Sequence, residues 1–164
     1  MKTWNFIDKS QWPERGPWDA EPDKAQWTDE ATGFPCLALR NHGSWCGYVG
    51  VTRDHPMFGQ DYDHFDIEVH GGLTFSGFCQ EGKGERRICH TPEPGQPKLV
   101  YWLGFDCAHA WDRRPITSQQ EMEINLQIKK EFPLSGFDEV YRDLDYVRSE
   151  CRSLAAQLQA MVRP

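Results

Sequence analysis

The sequence predicts an α+β domain: a mainly antiparallel sheet of about five strands, a tryptophan-rich N-terminal arm and a long C-terminal helix. Three observations carry this. Short apolar runs with period-2 alternation fill residues 36–112, separated by glycine- and proline-rich stretches. Residues 1–35 instead scatter Trp4, Trp12, Trp18 and Trp27 among prolines and charges. Near the end the period changes: Val140, Leu144, Val147, Cys151, Leu154, Leu158 and Met161 recur at alternating spacings of four and three, one apolar face of a helix. We read one domain over 1–164, divided into the arm (1–35), the sheet (36–112) and a helical part (113–164).

The arm is predicted to be irregular, because Pro13, Pro17, Pro22 and Pro35 interrupt any long element. It is expected to dock its indoles on the rest of the domain, with a short helix near "EPDKAQW". "CLALR" (36–40) and "SWCGYVGVT" (44–52) read as a hairpin across Asn41, His42 and Gly43. "IEVHGGLTFSGF" and "RRICH" read as strands. "KLVYWLGFD" is apolar on both faces, which predicts a strand covered on both sides. In "TSQQEMEINLQIKKEF" Ser118 and Glu121 fit a capping box while Met122, Ile124, Leu126 and Ile128 alternate like a strand, and the long straight side chains favour helix. The last helix is predicted over Asp138–Val162, capped by Asp138 or Ser135. Its stripe packs on the sheet or, alternatively, forms a homodimer seam.

Composition excludes some functions. The net charge of −7 and sequence pI of about 5.3 argue against bulk nucleic-acid or anionic-membrane binding. A mean hydropathy of −0.71 and the lack of a long apolar run argue against a membrane span. The N-terminus "MKTWNFIDKSQWPERG" has no apolar signal core, so a cytoplasmic location with reduced thiols is expected for the six cysteines. None forms a CxxC pair.

Two stretches concentrate reactive residues. In "EVHGGLTF", His70 precedes Gly71 and Gly72 and is followed by Thr74. In "GFDCAHAWD", an apolar strand runs into Asp106, Cys107, His109 and Asp112. A carboxylate beside an imidazole fixes its tautomer and raises its basicity, which suits acid–base catalysis. His70, Asp106 and His109 are therefore the catalytic candidates. Gly71, Gly72, Thr74, Asp112 and Arg148 are the ligand-binding candidates, with glycine amides and Arg148 meeting an anion. No metal-ligand spacing is recognisable, so no metal or other cofactor is assigned. The expected partner is a small anionic ligand, best a nucleotide signal, held between these cations and an aromatic ring. Whether it is sequestered or hydrolysed stays open. The rival reading is a protein-interaction module that uses the Trp-rich arm and the heptad helix.

"YVGVTRDHP", "VHGGLTF", "ICHTPEPG", "GFDCAHAWD" and "YRDLDYVRSEC" together resemble a family of small uncharacterised proteins encoded by tailed bacteriophages and prophages, over roughly residues 34–158. The resemblance implies an accessory role in a bacterial cell during infection, such as countering host defence. It brings no activity with it. "QEGKGERR" is an insertion relative to that pattern.

Overall fold

Strands β1 (Lys2–Trp4), β2 (Lys24–Thr28), β3 (Pro35–Asn41), β4 (Ser44–Val51), β5 (Phe75–Phe78) and β6 (Tyr101–Asp106) form one antiparallel sheet in the order β1-β2-β3-β4-β6-β5. Two α-helices follow, α1 (Gln119–Glu131) and α2 (Leu144–Val162). These come from a computed structural model that describes residues 1–133 and 139–162.

The β3–β4 hairpin is tighter than expected. Asn41 pairs with Ser44, which leaves only His42 and Gly43 in the turn, both with positive φ (45° and 85°). Two consecutive left-handed residues make the turn whose twist matches that of the strands. The central pairs β3–β4 and β4–β6 run in full register, and alternation then builds two apolar faces. Cys36, Ala38, Trp45, Val49, Leu103 and Phe105 point to one side, where Val147, Cys151, Leu154 and Leu158 of α2 pack on them. Leu37, Leu39, Tyr48 and Trp102 point to the other, under a cover that includes Phe6, Cys79 and Ile88. Thus β6 lies inside the sheet and is covered on both faces, as its sequence predicts. Gly47 leaves no room for a side chain between sheet and helix: a Cβ there would sit 2.5 Å from the Phe105 ring and 2.9 Å from Cys151 Sγ.

The long C-terminal helix is present, but it starts at Leu144. Ser135 and Asp138, the expected caps, lie outside the described residues. The first helical N–H groups are met from elsewhere. Leu144 N–H donates to Glu21 Oε1 (2.8 Å) and Tyr146 N–H to Asp143 Oδ1 (2.8 Å). Val140 precedes the helix and is exposed, whereas Leu144, Val147, Cys151, Leu154 and Leu158 are buried. The stripe proposed as a dimer seam thus lies against the sheet of its own chain.

Four sequence expectations need correction. The arm is not merely irregular: β1 and β2 extend the sheet, and "EPDKAQW" enters β2 rather than a helix. Buried Asp23 organises it, accepting the Phe6 and Ile7 N–H groups (2.7 and 2.8 Å) and pairing with Lys9 (2.8 Å). Trp12 and Trp18 are buried, as expected for docked indoles. Second, residues 66–74 belong to no strand, and the chain turns at His70 and Gly71. Glu68 is paired at both backbone groups with the Gln157 side chain of α2, and His70 N–H donates to Glu150 Oε2. The period-2 pattern is real, yet helix side chains replace a strand partner. Third, "RRICH" is not a strand. Its carbonyls at Arg87 and Cys89 instead accept from the buried Lys24 ammonium (3.3 and 2.8 Å). Fourth, the cysteines are not all reduced thiols: Cys79 and Cys89 form a disulfide across the insertion. Cys36, Cys46, Cys107 and Cys151 are free and buried. Among the described residues no helix is long and apolar enough to cross a membrane.

Candidate functional site

The two reactive stretches do meet. His70 arrives on a turn closed by Gly72 N–H to Val69 O (2.8 Å), with Gly71 and Gly72 at φ of 66° and 87°. Asp112 arrives on a second turn, where its N–H donates to His109 O (2.9 Å) and its Oδ2 accepts the His109 N–H (3.1 Å). A parallel bridge between Asp112 and Val140 brings in the segment before α2. Arg113 N–H donates to Val140 O (3.0 Å), and Val140 N–H to Trp111 O (3.1 Å). Arg142 and Tyr146 then close the site.

Asp112 is the hub. Its side chain is fully buried. Oδ2 faces His70 Nε2 at 2.8 Å and His109 Nδ1 at 3.2 Å, while Oδ1 accepts from Arg142 Nε at 3.1 Å. Burial opposes the charged form of Asp112, but the hydrogen bonds from His70, Arg142 and the His109 backbone outweigh it. Its carboxyl is held below the ordinary carboxylate value. An ionised carboxylate only accepts, so it fixes the proton on His70 Nε2 and on His109 Nδ1. His70 Nδ1 is left to accept from the Tyr146 hydroxyl, at 2.8 Å.

The two histidines differ as a result. His70 has both ring nitrogens engaged and a side chain only 5% exposed. It positions its neighbours. The His109 side chain is 21% exposed, and among the described residues no partner holds Nε2. Its ring stacks on Trp111 at 4.9 Å, with 7° between the planes. Its other neighbour answers why a glycine directly follows His70. A Cβ on Gly71 would lie 2.0 Å from His109 Cε1 and 2.1 Å from Nε2. Only a glycine lets the imidazole rest on the backbone there.

The remaining predicted residues separate. Asp106 lies at the rim, with Oδ1 4.0 Å from His109 Nδ1, and it caps the turn by accepting the Ala108 N–H (3.0 Å). Gly72 N–H is used inside its own turn, and the His109 ring stands over the Cβ side of Gly71, which is otherwise exposed. Thr74 is exposed, and its N–H donates to Gly104 O at the edge of β5. Arg148 points elsewhere: it meets Asp145 (3.4 Å) and the Trp27 ring, beside a separate cavity of about 360 Å³. Two positions along a helix turn a side chain by about 200°, so Arg148 cannot share a face with Tyr146. The arginine at this corner is Arg142, which donates to Asp112 Oδ1 rather than to a ligand. Cys107 is buried and its thiol is pushed well up, first by burial and then by the Asp112 charge, which removes it as a nucleophile. Trp111, Arg142, Tyr146 and Glu150 are the residues that sequence reasoning missed. Tyr146 and Glu150 stand four apart on one helix face, a spacing visible in "DYVRSE".

The site opens into a cleft of about 1080 Å³ between this corner and α1. His109, Trp111, Arg114, Ile128, Lys129 and Phe132 are on its walls. Trp111 is 46% exposed, so much of the indole remains available beyond its contact with His109. No family model, curated protein or solved structure matches this chain.

Proposed function

We propose that the cleft binds a small phosphate-bearing ligand, a nucleotide or cyclic nucleotide, and that His109 works on it as a general acid–base. The carrying observation is the Asp112–His109 pair beside an exposed indole. Asp112 holds the Nδ1 proton at 3.2 Å, which leaves Nε2 as the basic atom turned from the hub. A base can stack on Trp111, while Arg114 and Lys129 supply charge for phosphate oxygens. His70, Tyr146 and Arg142 hold Asp112 and do not touch the ligand. Without a positioned water the same cleft sequesters the ligand intact. In the bacterial setting that the sequence resemblance implies, such a ligand is a signalling nucleotide of the host, and capturing or cleaving it counters defence.

The interaction-module reading has less to stand on. Trp12 and Trp18 are inside the fold, and the α2 stripe is covered by the sheet. The test uses calorimetric titration of the full chain with AMP, 3′,5′-cyclic AMP and cyclic dinucleotides, followed by chromatography for turnover. Base stacking is worth about 1–3 kcal/mol per base, so Trp111→Ala should weaken binding roughly 5- to 150-fold. His109→Ala should abolish any turnover. Equal affinity for every probe in the parent chain, Trp111→Ala and His109→Ala would remove the reading.

A further inference from the structure

We propose that His70, His109 and Asp112 form a binding site for a divalent transition-metal ion of the zinc class. It occupies the corner of the proposed ligand cleft but does not rest on the nucleotide reading. The donor atoms are all within 4.8 Å of one another. Two of the separations are measured directly: Asp112 Oδ2 is 2.8 Å from His70 Nε2 and 3.2 Å from His109 Nδ1. Zinc–nitrogen and zinc–oxygen bonds of about 2.0–2.2 Å place tetrahedral ligands about 3.3 Å apart. The triangle needs to open by only a few tenths of an ångström on these two edges.

The surroundings support ligation. A metal-bound histidine commonly donates its other N–H to a neighbouring acceptor. Tyr146 Oη stands 2.8 Å from His70 Nδ1, where that acceptor belongs. Arg142 binds Asp112 Oδ1 and so turns Oδ2 toward the two imidazoles. Two further carboxylates lie beside the histidines. Asp106 Oδ1 is 4.0 Å from His109 Nδ1, and Glu150 accepts the His70 N–H at 2.8 Å. Arg113 is turned away, to Glu14 at 3.5 Å. Two histidines and one carboxylate leave at least one coordination position for water or a phosphate oxygen from the cleft. That is the ligand set of an open site rather than a closed structural one.

Binding rearranges protons without releasing any from neutral imidazoles. The His70 proton moves from Nε2 to Nδ1 and is donated to Tyr146. The His109 proton moves from Nδ1 to Nε2, the ring nitrogen that no partner holds among the described residues. With the ion bound, His109 is therefore a ligand and a donor, not the base. The acid–base reading of His109 belongs to the ion-free protein.

The test titrates chelator-treated full-length protein with zinc chloride by calorimetry and with cobalt(II) by visible absorption. A single tight equivalent and the intense spectrum of tetrahedral cobalt are expected. His109→Ala and His70→Ala should each weaken zinc at least 100-fold. Tyr146→Phe keeps the ring packing and should weaken it about 10-fold, the lower end for a lost outer partner. A Cys79→Ser/Cys89→Ser variant should bind as the parent does, which separates this site from the Cys79, Cys89 and His90 group. Circular dichroism identifies any variant that fails to fold, and the Tyr146→Phe result then decides. No zinc uptake, or uptake unchanged in the folded histidine variants and Tyr146→Phe, overturns the proposal. Zinc uptake without nucleotide binding leaves the metal site standing and removes the proposed function. Nucleotide binding without zinc uptake does the reverse.

Discussion

The helices α1 and α2 carry similar apolar residues and have opposite fates. α2 buries Leu144, Val147, Cys151, Leu154, Ala155 and Leu158 against β3 and β4. α1 buries no residue at all, and Ile124, Leu126 and Ile128 are each 50% exposed. The difference lies in the order of the residues. In α2 apolar positions recur every three or four residues and form one stripe. In α1 they recur every second residue, which on a helix scatters them around the axis. α2 is therefore held by tertiary packing, whereas α1 is held by its cap. Ser118 Oγ accepts the Glu121 N–H (3.2 Å), and Glu121 returns to Thr117 and Ser118. The candidate site lies where the two regimes meet, its hub tied to α2 and its outer wall supplied by α1.

The largest effect should come from the α2 side. Leu154 is fully buried in the α2–sheet core. Leu154→Ala should cost about 2–5 kcal/mol in urea unfolding, the range for a buried leucine that leaves a cavity. A loss below 1 kcal/mol would mean that α2 is not the core helix and would dissolve the contrast.

Gly71→Ala should come next. A left-handed φ costs a non-glycine residue about 1–2 kcal/mol, and the new methyl must also displace the His109 ring. Gly72→Ala is the control, since it too has positive φ but nothing stands within 4 Å of its Cβ position. Both variants should lose stability, and only Gly71→Ala should also shift the His109 ring resonances in NMR spectra. Identical spectra would mean that His109 does not rest on Gly71.

A pH dependence comes third and concerns His90 and Asp112. Burial holds the imidazole of His90 below its ordinary 6.5, with its Nε2 donating to Pro97 O at 2.9 Å. The unfolded chain takes up that proton first, so stability falls as pH drops below about 6.5. Asp112 adds a second loss further down. Its folded value lies below 3.8, so its contribution is complete above 3.8 and disappears as pH falls through the folded value. His90→Gln should flatten the first step of the urea midpoint against pH and leave the second. A first step that persists in His90→Gln would assign it to another group.

Much of the fold could be read from the sequence, and the exceptions share a cause. β3, β4, β6 and α2 announce themselves because each buries a regular face against another element, and periodicity records that. β1 and β2 hide because the side chains that secure the arm are polar: Asp23, Lys24 and Arg40 are buried through specific pairings that no hydrophobic pattern reports. Residues 66–70 mislead for a similar reason, since the Gln157 side chain and the Glu150 carboxylate stand in for a strand. At the site, His70, His109 and Asp112 were findable because they crowd two short stretches. Arg142 is not legible as a site residue, because it lies before Leu144, where the chain is not yet helical and helical spacing cannot place it.

The smallest effects should fall on α1. Ser118→Ala removes the hydroxyl that caps the helix and should cost about 1 kcal/mol of helix stability. Global unfolding should barely register it, because no α1 residue belongs to the core. Hydrogen exchange of the α1 amides reads it directly, with faster exchange there and unchanged protection in α2. Ile124→Ser, on the exposed surface, should stay within about 0.5 kcal/mol of the parent. If either change lowers the global midpoint as Leu154→Ala does, α1 is coupled to the core. The cleft would then be a fixed feature of the fold, and its outer wall would be as rigid as the hub around Asp112. If only local exchange responds, the ligand cleft has one firm wall and one that opens on its own, and binding should then protect the α1 amides more than those of α2.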